Sequence, residues 1–185
     1  MGIAHDIGKN IGKAIEPIRA GDDKLASRKL RATEANRTIT VTSSAFTDGG
    51  SLPITFTADG AGIAPPIAWN NIPDGARSIV LIAEDPDAPI PNPFVHWLVY
   101  GLPVTTSSIA SSPDGGREGK NSMLKSGYAP ASPPAGHGVH HYHFQVFALD
   151  IVLELGDGAG RNALLDAMKN HVLAWGDIVA TYERS

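Results

Sequence analysis

Four of the seven histidines in this chain fall within residues 137–143, a run that reads His-Gly-Val-His-His-Tyr-His. Imidazoles grouped in this way can ligate a metal, move a proton or donate hydrogen bonds to an anion. On a strand, side chains two apart share a face. His140, Tyr142, Phe144 and Val146 then point one way, and His141, His143, Gln145 and Phe147 the other. The first set begins polar and turns apolar. That pattern suits a pocket wall with His140 and Tyr142 at its mouth. It equally suits two half-buried polar side chains that satisfy loop backbone.

Three further segments carry candidate groups. Asp85-Pro86-Asp87-Ala88-Pro89 follows an apolar run, and its prolines restrict the backbone that bears two carboxylates. Such acids either line a cavity or simply make a turn, since Asp and Pro are both favoured there. His96, in Phe94-Val95-His96-Trp97, opens another apolar run as a site residue or as a satisfied core histidine. The segment 127–136, GYAPASPPAG, is stiffened by proline and leads straight into the histidine run. Metal chemistry finds little support. His141 and His143 share a face, but His140 lies opposite, and no helical His-Glu-x-x-His pair occurs. There is no Gly-x-Ser-x-Gly elbow, no P-loop and no Gly-x-Gly-x-x-Gly turn. No metal and no cofactor are expected.

The elements that must position these groups follow from composition and periodicity. The 185 residues suit one domain, with or without a terminal arm. With 42% apolar and 18% charged residues, a highly charged disordered chain is excluded. Fifteen Lys and Arg against nineteen Asp and Glu leave a net charge of −4, which argues against a general nucleic-acid partner. No apolar run approaches the length of an integral membrane segment. The first residues lack the continuous apolar core of a signal peptide. The absence of cysteine removes disulfides and thiolate sites and fits a cytoplasmic location.

Residues 1–36 read as a helical arm. Ile7, Ile11, Ile15 and Ile18 recur at helical spacing, Gly8 and Gly12 weaken the helix, and Pro17 ends it. A second helical turn is expected at 24–30. Such an arm must lie on its own domain or on a partner subunit, and a homodimer is the expected assembly. Residues 37–185 form the domain proper. Strands are expected at 38–43, 78–83, 95–102, 140–149 and 177–182, and a helix at 160–171. The fold class is mainly β: an antiparallel β-sandwich with peripheral short helices and the N-terminal helical arm.

Taken together, these segments resemble the phosphatidylethanolamine-binding protein family, which includes the Raf kinase inhibitor protein and the plant flowering-time regulators. The resemblance runs from about Thr38 onward. It is carried by Gly62-Ile63-Ala64-Pro65-Pro66-Ile67-Ala68-Trp69, by Asp85–Pro89, by His96-Trp97, and by Pro133-Pro134 leading to Gly138-Val139-His140-His141-Tyr142. The chain is similar to the bacterial Raf-kinase-inhibitor-like branch. The resemblance implies two packed antiparallel sheets and a small cavity for anions such as phosphate, acetate or a phospholipid head group. Asp85, Asp87, His96, His140 and Tyr142 would line that cavity, with Pro133 and Pro134 at its rim. It also implies a non-enzymatic binding protein, in some relatives an inhibitor of a kinase or protease. The reading of another class is a small-molecule hydrolase using Asp87, His96 and His140 for acid–base work. In the binding reading, the acids keep His96 and His140 able to donate to the anion.

Several positions depart from the family pattern. His141 stands where Arg is usual, and an acidic partner is expected for it. Pro130 and Ser132 replace frequent glycines, and Phe94 replaces Trp. A counterpart of the C-terminal helix that partly covers the cavity in eukaryotic members is not expected. The cavity is therefore expected to be open, or covered by the arm or a partner.

Overall fold

A computed structural model describes residues 2–33 and 36–184. Its strands, in chain order, are β1 (Thr40–Thr42), β2 (Gly50–Ser51), β3 (Ile67–Asn70), β4 (Ser78–Asp85), β5 (Phe94–Leu102), β6 (Ser108–Ile109), β7 (Arg117–Glu118), β8 (His140–Leu149) and β9 (Val172–Tyr182). Its helices are α1 (Gly2–Ile15), α2 (Ala26–Lys29) and α3 (Arg161–Met168). One sheet has the order β1-β3-β6 and the other β2-β9-β8-β4-β5-β7. Every pairing of named strands is antiparallel except β2 with β9, so the larger sheet is mixed at that edge. The outcome is the β-sandwich expected from the sequence.

Both faces of the larger sheet are covered, which is why β4 reads as an unbroken apolar run and is buried throughout. Toward the smaller sheet, Ile79, Leu81, Trp97, Tyr142, Phe144 and Val146 pack with Val41 and Trp69. On the opposite face, Val80, Ile82, Leu98 and Phe147 pack with Ala26 of α2 and with Leu164 and Met168 of α3. Each fully buried Leu, Ile, Val or Phe contributes roughly 1.5–3 kcal/mol over exposure. Strand parity therefore sends odd positions of β4 to one core and even positions to the other. Glu84 and Asp85, adjacent in sequence, end on opposite faces.

β9 begins at Val172, earlier than its expected start, because residues 172–176 extend the ladder along β8. Gly176 permits this: a Cβ there would lie 2.0 Å from the Ile39 carbonyl oxygen.

The N-terminal segment packs in two different ways. Residues 22–33 belong to the core under the larger sheet, with Leu25, Ala26 and Ala32 buried. α1 instead approaches the loop before β8 through its glycine side. A Cβ on Gly12 would lie 1.9 Å from the Ala135 carbonyl oxygen, so only glycine allows this contact. Of the isoleucine stripe, Ile15 is half-buried. Ile11 and Ile18 stay 57% and 52% exposed, and the side chain of Ile7 lies outside the described residues.

Candidate functional site

The carboxyl end of β4, the start of β5, the start of β8 and the proline loop before it meet at one end of the larger sheet. They enclose a hollow of about 310 Å³. Asp85, His96 and His140 supply its polar wall, Pro130, Pro133 and Pro134 one rim, and Ile90, Phe94 and Met123 the other. Among the described residues, none of α1 lines it.

The polar groups are tightly partnered, with two exceptions. Asp85 Oδ1 accepts the Asp87 backbone N–H at 2.8 Å, and Oδ2 accepts His140 Nδ1–H at 2.7 Å. His140 Nε2 meets His137 Nδ1 at 2.7 Å, and His137 Nε2–H donates to the Ile15 carbonyl at 3.0 Å. Both nitrogens of His140 are thus engaged within the protein. This differs from the expectation that His140 donates to an anion, and the reason is His137. His137 belongs to the histidine run, but its residue type and spacing assign it no role. Its distance of three residues from His140 across a glycine was the only available signal.

His96 Nδ1–H donates to the Ala129 carbonyl at 2.6 Å, while its Nε2 is buried with no partner. The Tyr142 hydroxyl is the second buried polar atom without a partner among the described residues. The two rings meet edge to face with centroids 5.1 Å apart, and Tyr142 also stacks on His140 at 6.5 Å. Burial pushes the His96 imidazole down, with Asp85 only partly offsetting it, so the ring is neutral near pH 7. Burial, with Asp85 adding to it, pushes the Tyr142 phenol up and keeps it protonated. His96 lines the hollow, whereas Tyr142, expected in its wall, packs against the His96 ring without lining it. Buried polar atoms are normally satisfied, so an orphaned Nε2 in the wall, with a second orphan on the neighbouring ring, marks a place for a polar guest.

Asp87 lies elsewhere. Its carboxylate accepts both the backbone N–H and the ring Nδ1–H of His141, at 2.7 and 2.8 Å, and pairs with Arg19 at 2.5 Å. It faces the arm, not the hollow. Burial pushes this carboxyl up, but the His141 and Arg19 contacts outweigh that and hold it below its ordinary value. His141, in the place of the usual Arg, has the acidic partner expected for it. Among the described residues no cluster of three His, Asp or Glu is arranged to hold a metal ion. A second depression, of about 360 Å³ beside α3, includes Arg161, but that cation is engaged by Glu84 and by the Lys24 carbonyl.

Comparisons with known proteins agree with this architecture. The family model described as phosphatidylethanolamine-binding protein matches residues 42–183. A UPF0098 protein of Pyrococcus horikoshii, PH1269, is 39% identical over 150 residues, covering 77% of this chain and 75% of that protein. The crystal structure of a putative phosphatidylethanolamine-binding protein homologue from Chlamydia trachomatis, CT736, superposes with a TM-score of 0.75 at 35% identity. It covers 81% of this chain and 99% of that one. The crystal structure of YbcL from E. coli, described as a new member of the mammalian PEBP family, gives a TM-score of 0.73 at 26% identity, covering 80% of this chain and 99% of that one. The chain belongs to the phosphatidylethanolamine-binding protein family.

Proposed function

We propose that this protein is a non-enzymatic binder of a small oxyanion, such as phosphate, acetate or the phosphate of a phospholipid head group. The observation that carries the reading is a pair of orphaned polar atoms on contacting rings, His96 Nε2 in the wall of the hollow and the Tyr142 hydroxyl. Asp85 does not repel the guest, because its charge is met by His140 and the Asp87 N–H. The phenol is a ready donor. His96 is not: Nδ1–H serves Ala129, so a neutral ring offers only a lone pair at Nε2. To donate to an anion it must take up a proton, which then gives a charge-assisted hydrogen bond. Anion and proton therefore bind together.

Calorimetric titration with acetate, which does not itself titrate between pH 6 and 8, tests this coupling. One linked proton predicts that affinity weakens by roughly tenfold per pH unit as pH rises. An affinity that stays flat across the window would overturn the reading. The hydrolase reading gains nothing from Asp87, which is engaged by Arg19 and His141. A panel of esters and phosphoesters separates the two classes. Steady turnover that disappears in His140→Ala would replace binding with catalysis.

A further inference from the structure

His137 is fully buried, titratable and unused by the anion site. It sits in an unbroken line of three hydrogen bonds, from Asp85 Oδ2 to His140, from His140 to His137, and from His137 to the Ile15 carbonyl at the end of α1. Each bond needs one proton between its heavy atoms. A carbonyl oxygen only accepts, so the last proton belongs to His137 Nε2. Two neutral imidazoles carry two N–H protons in all. Three bonds need three. The third proton converts the pair to one imidazolium facing the Asp85 carboxylate, so the line is neutral overall. A buried line of this kind is stable when every member is satisfied and costly when one is not.

The line ends on the arm, and the arm is fastened around the same two loops. Arg19 bonds the His137 and Val139 carbonyls and the Asp87 carboxylate. The Ala20 and Gly21 N–H groups donate to the Ala88 and Pro86 carbonyls at 3.0 and 2.9 Å. We infer that His137 and the arm are a positioning part of the site: the line from Asp85 to the Ile15 carbonyl holds one proton beyond two neutral imidazoles, and retention of that proton is linked to docking of the arm. If the proton leaves, one bond must open, either inside the histidine pair or at Ile15. By reciprocity, undocking the arm loosens the proton. This does not rest on the anion reading, because none of the three bonds involves His96 or the Tyr142 hydroxyl. The other charged and titratable groups around the pair are Glu16 and Arg19 from the arm, Asp87 from the loop after β4, His96 from β5, Tyr142 from β8, and Tyr182 and Arg184 at the end of the chain. None of them is a member of the line.

The full chain labelled with ¹⁵N histidine provides the test. Ring ¹H–¹⁵N spectra near pH 7 are expected to show three protonated nitrogens among the four of His137 and His140. Gly12→Ala, whose methyl collides with the Ala135 backbone, undocks the arm without touching either ring. It is expected to reduce the count to two while the amide spectrum of β8 stays folded. In the wild type, protection of the Ala20 and Gly21 amides should fall about tenfold per pH unit once the pair releases its proton, beyond the intrinsic pH effect on exchange. His137→Gln keeps a donor toward Ile15 and an acceptor toward His140, and should restore docking that His137→Leu loses. Two protonated nitrogens in the wild type would overturn the inference. So would an unchanged ring pattern in Gly12→Ala with the arm released, or arm protection that does not respond to pH.

Discussion

At Asp87 the sequence motif and its spatial role separate. The family resemblance implied that this acid lines the cavity with Asp85, while the proline-bounded turn by itself left that open. On that turn it points the other way, to His141 and to Arg19, whose position in the arm could not be read from the motif. His141, by contrast, could be read as a departure from the usual Arg that needed an acid. The pair makes a pH-dependent contribution with a defined sign. The folded carboxyl is held below its unfolded value of about 3.9. Its stabilisation is therefore complete above that value and is lost as pH falls through the lower, folded one. Asp87→Asn should cost about 1–3 kcal/mol at pH 7, the range for weakening hydrogen bonds to a charged group. The gap to wild type should close below about pH 4. Urea unfolding of both proteins from pH 3 to pH 8 measures it, and a gap that persists in acid would show that shape rather than charge sets the cost.

At the level of elements, the long strands were legible and the short ones were not. β4, β5 and β8 announce themselves by eight to ten residues of branched and aromatic side chains. β2, β6 and β7 have two residues each, too few for any periodicity to register. β4 also hides a second polar site on its far face. Glu84 is fully buried, yet it accepts from the Ala26 N–H, Gln145 Nε2 and the Arg161 guanidinium. This bond set ties α2, β8 and the first turn of α3 to one carboxylate. Removing the cation leaves a buried acid short of its partner, which typically costs 3–5 kcal/mol. Arg161→Met should destabilise by about that amount, read from denaturant midpoints. Glu84→Gln with Arg161→Met, which removes both charges, should recover part of the loss. A single variant as stable as the wild type would mean that solvent reaches Glu84 easily.

At the scale of the molecule, the hollow is where three distant chain segments and the proline loop converge, and that convergence was legible only through the family resemblance. Strand parity could pair His140 with Tyr142, but it could not bring Asp85 and His96 beside them. The same assembly makes the global stability a readout of the site. A ligand that binds only the folded state stabilises it by mass action, about 2.7 kcal/mol at a hundredfold excess over Kd. For a domain of this size each kcal/mol moves Tm by roughly 2–4 °C, so saturating anion should raise Tm by about 5–10 °C. Because His96 must take up a proton to donate, the rise at a fixed acetate concentration should be larger at pH 6 than at pH 8. Sodium chloride at matched ionic strength controls for general screening. Tyr142→Phe keeps the ring contacts with His96 and His140 but removes the hydroxyl, so it should lose most of the anion-induced rise while folding normally. A rise of equal size at both pH values in the wild type, or one that survives in Tyr142→Phe, would place the anion somewhere other than between these two orphaned atoms.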